Sequence, residues 1–171
     1  MKVYLVGMMG AGKSTVGRIL AQRLNVPFFD SDQMIEQSEG LTVDLIFDIK
    51  GEAYFRSLER NWLDATMVLQ GVFATGGGLP CFNDNINRMN LMGTSIYLCT
   101  TIDVLLDRLK NDSIRPALKG KSALQKANFL TKIMAERHIH YTKCKYIIDC
   151  KYSVQDIVED IISILKSDKN D

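Results

Sequence analysis

The stretch that decides the fold is residues 7–15, which read Gly-Met-Met-Gly-Ala-Gly-Lys-Ser-Thr. An apolar run, Val3–Val6, precedes it, and a segment with helical spacing of apolar residues, Ser14–Leu24, follows it. The stretch matches the pattern G-x-x-x-x-G-K-[ST] between a strand and a helix, which is typical of a phosphate-binding loop. Its glycines let backbone N–H groups turn inward, and the start of the helix adds a partial positive charge. The stretch therefore predicts a nucleotide-binding site.

Two side chains of this loop have chemistry that suits a nucleotide. Lys13 is long enough to reach the β- and γ-phosphates, and Ser14 offers a hydroxyl to Mg²⁺. The absence of an Asn-Lys-x-Asp motif argues against a GTPase switch. The third apolar run ends in glycines without a carboxylate, which argues against a motor or transporter ATPase.

Four further apolar runs predict strands. They are Pro27–Asp30, Val72–Thr75, Ser95–Cys99 and Tyr146–Asp149. Nearly continuous apolar runs suit strands that are buried on both faces of a parallel sheet. Helical patterns lie between them, so we predict an α/β domain with helices on both sides of the sheet. In such a domain the chemistry lies beyond the carboxyl ends of the strands.

Two helices are predicted most clearly outside the loop region. One spans Phe55–Leu69, and the other carries an apolar stripe from Val154 to Leu165. Ser153 is the expected N-cap of the second helix, with Asp156 as its partner in a capping box.

Length and composition exclude several classes of protein. The 171 residues fit one domain, and 21 basic against 20 acidic side chains give a net charge of +1, which argues against a general nucleic-acid binder. No apolar run is long enough to predict a membrane span. The four cysteines form no Cys-x-x-Cys pair, so we expect free thiols and a cytoplasmic protein. Cys144 and Cys150 are candidates for contact.

Acidic residues lie at the end of the second predicted strand. Asp30 and Asp32 are two positions apart, so in an extended chain their side chains point the same way. One carboxylate can hold magnesium through water while the other faces a substrate hydroxyl. Capping of the next helix is the alternative explanation for both acids.

A candidate anion-binding group follows in the helix over 55–69. Arg56 and Glu59 are three residues apart, so the carboxylate can hold the guanidinium for bidentate binding of a substrate carboxylate. A surface ion pair is the alternative. The glycines of Gly76–Gly78 allow close approach of a ligand to the backbone, or form a tight turn.

Two more arginines are candidates for the site. The segment Lys110–Lys121 is rich in basic residues around Arg115-Pro116, and is either a solvated loop or one that folds over a nucleotide and brings Arg115 to the transferring phosphate. Arg137, four residues before Tyr141 on a predicted helix, is a candidate second cation for an acidic substrate.

In this order the motifs resemble those of the shikimate kinase family. They are Asp30-Ser31-Asp32, Phe55-Arg56-x-x-Glu59, Thr75-Gly76-Gly77-Gly78, Arg115-Pro116 and Arg137-x-x-x-Tyr141. The resemblance runs from Met1 to about Asp149. It implies a single-domain P-loop kinase over residues 1–171, similar to nucleoside monophosphate kinases, with a five-stranded parallel sheet in the order 2-3-1-4-5. It also implies a substrate-binding region at about 31–60 and a small lid at about 110–121.

The resemblance further implies a reaction, transfer of the ATP γ-phosphoryl group to the 3-hydroxyl of shikimate on the route to chorismate and aromatic amino acids. The residues implied to contact shikimate are Asp32, Arg56, Gly78 and Arg137. Those implied to hold ATP are Gly10, Ala11, Gly12, Lys13, Ser14, Thr15 and Arg115. Lys13, Asp32 and Arg115 would be catalytic; Ser14 would bind Mg²⁺ directly and Asp30 through water. Members of the family are commonly monomeric.

The sequence departs from the family pattern near its end. The usual Pro-Leu-Tyr is Ile139-His140-Tyr141, and the usual Glu-x-Ala is Lys143-Cys144-Lys145, so we assign no adenine contact near Lys151–Ser153. Two alternatives remain: a kinase for another small acid such as gluconate, and a non-catalytic nucleotide-binding module. Whether ATP turnover depends on an added acceptor distinguishes them.

Overall fold

The five predicted strands form one sheet in the computed structural model, which describes residues 1–110, 118 and 120–168. Each strand lies within one residue of its predicted bounds: β1 (Lys2–Val6), β2 (Phe28–Asp30), β3 (Gly71–Ala74), β4 (Thr94–Cys99) and β5 (Tyr146–Asp149). All four pairings are parallel and the order is β2-β3-β1-β4-β5, so both the sheet and its strand order are confirmed.

Strand register aligns the segments that carry the candidate site. Leu5 pairs with Ala74 in β3, and Ala74 pairs in turn with Asp30 in β2. Because the three strands are neighbours and run the same way, the chain leaves each of them at the same edge of the sheet. This edge carries the phosphate loop, the acids at the end of β2 and the glycines after β3.

Helices occupy the intervals between the strands. They are α1 (Lys13–Leu24), α2 (Ser31–Glu39), α3 (Val43–Lys50), α4 (Glu52–Ala65), α5 (Asn85–Met92), α6 (Ile102–Arg108), α7 (Ala123–Tyr141) and α8 (Val154–Ser167). The predicted capping box of α8 is present, with the Ser153 side chain accepting from the Asp156 N–H and the Asp156 carboxylate accepting from the Ser153 N–H. The apolar stripe of α8 is buried, and the helix packs against α1.

The helix predicted over Phe55–Leu69 was wrong at both ends. It begins at Glu52, after Gly51, and ends at Ala65, where residues 66–68 tighten into a 3₁₀ turn. Thr66 explains the early end, because its hydroxyl donates to the Leu63 carbonyl and is 2.7 Å from the buried Tyr4 hydroxyl. Satisfying a carbonyl of the last turn from a side chain that is also fixed to β1 stops the helix there.

The core lies on both faces of the central strands. Residues 3–6 of β1 are fully buried, and Phe73 of β3 contacts the rings of Tyr4, Phe29 and Trp62. All four cysteines are free thiols, as predicted. None of the helices that the structure describes has the length and apolar character that a membrane crossing requires.

Candidate active site

The loop between β1 and α1 has the backbone of a phosphate cradle. Gly10 and Gly12 have φ values of 78° and 95°, a region that strains residues with a β-carbon. Gly12 is also the N-cap of α1 and has no side chain to cover the first N–H groups of the helix. Lys13 is buried, and its ammonium donates to the carbonyl oxygens of Gly7 at 2.8 Å and Met8 at 2.9 Å. The predicted loop therefore places a cation at its centre.

A cavity of about 370 Å³ lies on this loop. Its walls are residues 10–16, Arg108 at the end of α6, and Val154 and Ile157 at the start of α8. Arg108 was not predicted from the sequence, since no motif surrounds it. Its Nη1 donates to the carbonyl oxygens of Gly10 at 3.3 Å and Ala11 at 3.2 Å, so it lies directly over the loop.

Asp30, the last residue of β2, accepts hydrogen bonds at both carboxylate oxygens. Asp30 Oδ1 accepts from the N–H groups of Asp32 and Gln33 and caps α2, while Oδ2 accepts from the Ser14 hydroxyl at 2.7 Å. Capping of α2 is confirmed for this residue, and its role in holding magnesium stays a prediction. A hydroxyl and a carboxylate beside a phosphate cradle are the hard oxygen ligands that Mg²⁺ prefers.

These oxygens fit a metal that is carried by the nucleotide. Within residues 1–110, 118 and 120–168, no group of three or more His, Cys, Asp or Glu side chains could hold a metal ion. Mg²⁺ in kinases typically keeps waters and substrate phosphates as ligands and needs only one or two protein oxygens.

A second cavity, of about 280 Å³, adjoins the loop at Met9. The structure brings together in its walls all four residues implied to contact the acceptor: Asp32, Arg56, Gly78 and Arg137. Its remaining walls are mostly apolar side chains of α3, α4 and α7, namely Val43, Phe47, Phe55, Phe129 and Ile133. The cavity is thus a small apolar pocket with charged groups of both signs.

Arg56 is held from three sides. Its guanidinium donates to Glu59 at 2.6 Å and to Glu52 at 3.0 Å, and it lies 4.1 Å from the centre of the Phe82 ring. The Glu59 side chain is only 1% exposed, so the pair is buried and the alternative of a surface ion pair is wrong. A planar fork fixed in this way suits bidentate binding of a carboxylate.

Glu59 has an altered acidity. Burial raises its pKa from 4.5 to about 7, against the opposing effect of the Arg56 charge. Asp32 raises the pKa further and Arg137 lowers it. The carboxyl group therefore titrates near neutral pH while it holds the guanidinium.

The three glycines after β3 each leave room for one charged side chain. A β-carbon on Gly76 would collide with Asp32 Oδ1. A β-carbon on Gly77 would lie 2.9 Å from Arg137 Nη1, and one on Gly78 would lie 2.6 Å from Arg56 Nη1. None of the three has a positive φ, and Gly78 has φ −85°, which any residue adopts. A turn is present, since the Leu79 N–H donates to the Gly76 carbonyl at 3.2 Å, but its backbone angles do not require glycine, so space for the charged side chains explains the glycines.

Two buried hydroxyls hold the glycine segment in place. The Tyr141 hydroxyl donates to the Gly77 carbonyl at 2.6 Å, and the Gly76 N–H donates to Ser31 Oγ at 2.6 Å. Burial raises the pKa of Tyr141, so the phenol stays a donor. The segment is therefore tied to α2 on one side and to α7 on the other.

Sequence and structure comparisons agree with this geometry. The family description "Shikimate kinase" matches residues 9–166. A shikimate kinase of Sulfurihydrogenibium sp. (strain YO3AOP1) is 42% identical over 166 residues, which cover 96% of this chain and 97% of the relative. The chain belongs to the shikimate kinase family. It is therefore a kinase, of a family whose enzymes use ATP with a divalent metal.

Two solved shikimate kinases have a similar fold. The crystal structure of the enzyme from Bacteroides thetaiotaomicron has a TM-score of 0.92 at 36% identity and covers 97% of this chain and 98% of that one. The enzyme from Acinetobacter baumannii, solved in complex with shikimate, has a TM-score of 0.90 at 34% identity and covers 98% of this chain and 94% of that one.

One implied member of the shikimate kinase site is not located. Arg115 lies outside the described residues, as does most of the lid region 110–121. Its position over the transferring phosphate stays a prediction from the sequence. Of the described residues, Arg108 is the cation that lies over the phosphate loop from α6.

Proposed function

We propose that the chain transfers the γ-phosphoryl group of ATP to the 3-hydroxyl of shikimate and forms shikimate 3-phosphate and ADP. The observation that carries the proposal is that two cavities are lined by consecutive residues of the same loop, the first by Gly10 and the second by Met9. One cavity lies on a phosphate loop, and the other contains two arginines and an aspartate. A phosphate donor in the first and a hydroxylated monocarboxylic acid in the second would approach each other at this loop.

The acceptor is bound by its carboxylate and its hydroxyls. Arg56 and Arg137 bind the carboxylate, because both guanidinium groups reach the cavity and Glu59 orients the first of them. Asp32 and the backbone of Gly78 contact the side that carries the hydroxyls. This arrangement leaves the 3-hydroxyl facing the phosphate loop.

The nucleotide is held by backbone and by cations. Residues 10–15 surround the phosphates with N–H groups, Lys13 neutralises the β- and γ-phosphates, and Arg115 closes over the γ-phosphate. Arg108 and the apolar start of α8 line the rest of the same cavity and contact the nucleoside part. Ser14 would hold Mg²⁺ directly and Asp30 would hold it through water, and the ion would supply positive charge beside the phosphates of ATP.

The reaction is an in-line displacement on phosphorus. The 3-hydroxyl oxygen forms the new P–O bond while the bond between the γ-phosphorus and the β–γ bridging oxygen breaks, which leaves ADP. Asp32 orients the hydroxyl and accepts its proton late in the step. The protein mainly aligns the two substrates and neutralises charge.

This reaction assigns the chain to chorismate and aromatic amino acid biosynthesis. We further propose that the chain is one catalytic domain over residues 1–171, with the substrate region at about 31–60 and the lid at about 110–121, and that it acts as a cytoplasmic monomer without nucleic-acid or membrane partners.

Release of ADP in a coupled assay tests the proposal. Mg-ATP is supplied alone and with shikimate, gluconate or AMP added separately. We expect turnover with shikimate only. Stimulation by gluconate instead would identify a different acid kinase, and ATP binding without stimulation by any acceptor would identify a non-catalytic nucleotide-binding module.

A further inference from the structure

Asp44 is a third carboxylate in the wall of the acceptor cavity, beside Asp32 and Glu59. It lies in the first turn of α3 and is partly buried. Asp32 is assigned to the reacting hydroxyl, and Glu59 is occupied by Arg56. Asp44 has no role in the function proposed above.

The position of Asp44 is fixed by the start of its helix. The Glu36 carboxylate accepts from the Val43 N–H at 2.9 Å, and Thr42 caps the helix through the Leu45 N–H. One turn later, Phe47 lines the same cavity, with its ring 5.5 Å from the Arg56 guanidinium carbon. Asp44 therefore lies on the face of α3 that borders the acceptor, one turn from the ring beside Arg56.

The carboxylate lacks a partner of opposite charge. Within the part of the chain that the structure describes, Asp44 makes no ion pair, and the charged side chains that act on it most strongly are the acids Asp48 and Glu36. Burial, followed by these two charges, raises its pKa above the ordinary value, while its own backbone N–H partly opposes the shift. A hydrogen-bond donor on a ligand would relieve this cost.

The two arginines of the cavity indicate which donor group of a ligand faces Asp44. Arg56 and Arg137 attract the acid group of a ligand, so the part of the ligand that reaches Asp44 must be neutral or cationic. In a polyhydroxylated acid the available donor is a hydroxyl group. We propose that Asp44 accepts a hydrogen bond from a ring hydroxyl of the acceptor that is not phosphorylated, and so selects polyhydroxylated monocarboxylic acids. This inference rests on the proposed function, since it assigns a further contact to the same acceptor.

The test compares acceptors that lack single hydroxyls. KM is measured for shikimate, 4-deoxyshikimate and 5-deoxyshikimate with the wild-type chain, Asp44→Ala, Asp44→Asn and the control Asp48→Asn. Asp48 is an exposed acid of the same helix that does not line the cavity. Asp44→Asn is nearly isosteric and keeps an acceptor oxygen, so it remains informative if the alanine variant folds poorly.

We expect Asp44→Ala to raise the KM for shikimate roughly ten- to hundredfold, the usual range for a hydrogen bond to a charged group, with the KM for ATP unchanged. One of the deoxy acids should bind the wild-type chain worse than shikimate by a similar factor, and this difference should nearly vanish in Asp44→Ala. Asp44→Asn should lie between the two. Asp48→Asn removes only a neighbouring charge, so it should keep the wild-type discrimination between shikimate and the deoxy acids.

The inference would be overturned if the ratio of the KM for each deoxy acid to the KM for shikimate were the same in the Asp44 variants as in the wild type. A general loss of stability would not reproduce the expected pattern, because it would change all acceptors and ATP alike. Failure of the wild-type chain to phosphorylate shikimate at all would instead overturn the proposed function, so the two failures are distinguishable.

Discussion

A β-carbon placed on Gly78 would lie 2.6 Å from Nη1 and 2.9 Å from Nη2 of Arg56. Gly78 has backbone angles that any residue adopts, so the glycine is needed for space and not for conformation. The two residues are 22 positions apart in the sequence, with Arg56 in α4 and Gly78 in the segment after β3. Their contact determines where the guanidinium can lie in the acceptor cavity.

Gly78→Ala should therefore move Arg56 without unfolding the protein. The atoms in the way are the end of a flexible side chain, so the fold adjusts at little cost, and the KM for shikimate should rise roughly tenfold or more because a charged hydrogen bond is lost or lengthened. Kinetics of Gly78→Ala, Arg56→Ala and the double variant test this. If the two effects on KM simply multiply, the glycine acts independently of Arg56 and the explanation is wrong.

Arg56→Ala should raise the KM for shikimate while kcat changes little, because the carboxylate is remote from the reacting oxygen. Arg56→Lys should not restore binding, since an ammonium lacks the planar fork. Arg60→Ala is the matched control; this arginine lies one turn later on α4 and donates to the Asn83 carbonyl instead. A fall in kcat with unchanged KM would contradict the assignment.

Lys13→Ala and Arg115→Ala should each lower kcat by about 10²–10³, the usual effect of removing one preorganised charge. Lys110→Ala is the control for Arg115, since this exposed lysine pairs with Asp107. Steady-state kinetics at saturating ATP and shikimate provide the measurement, with thermal unfolding to confirm that the variants are folded. If either variant changed only the KM for ATP, that side chain would bind the ground state and would not assist transfer.

Asp30→Asn separates the capping of α2 by this residue from its proposed role in holding Mg²⁺. Asparagine caps helices as well as aspartate, so the free energy of unfolding should change by less than about 1 kcal/mol. The variant loses a negative charge near Mg²⁺. Loss of a group that supports a metal ligand typically weakens metal binding by at least about tenfold. The Mg²⁺ concentration that gives half-maximal activity at fixed ATP should therefore rise about tenfold. An unchanged Mg²⁺ titration would limit Asp30 to capping α2.

Glu59 should make stability depend on pH. Its pKa is about 7 in the folded chain and 4.5 ordinarily, so between these values the folded state binds the extra proton and the free energy of unfolding falls as pH rises. Below about pH 4.5 this loss is absent, and above pH 7 it is complete. Glu59→Gln removes the dependence, so its stability relative to the wild type should increase by roughly 1–3 kcal/mol from pH 5 to pH 8.

Urea unfolding of both chains across this range measures the difference. Glu52→Gln is the control for loss of a carboxylate partner of Arg56, since Glu52 also pairs with Arg56 but is 57% exposed. A Glu59→Gln difference that does not vary with pH would show that the folded-state pKa of Glu59 is close to 4.5.

The sequence determined the framework of this protein. Short apolar runs predicted all five strands within one residue, and the glycine-rich loop before Lys13 predicted the nucleotide site, because both depend on local patterns. The capping box at Ser153 is equally local and was confirmed. The motifs in order were enough to indicate the family.

Tertiary structure alone decided how the site residues are held. Arg108 lies 98 positions from Gly10 and belongs to no motif. Several elements supply the apolar side chains around Glu59, and several elements form the cavity that Asp44 lines. The reason that the three glycines must lack side chains was also hidden, because Asp32, Arg56 and Arg137 reach them only after the sheet aligns its strand ends. Burial and close approach between distant segments depend on packing, which no local pattern specifies.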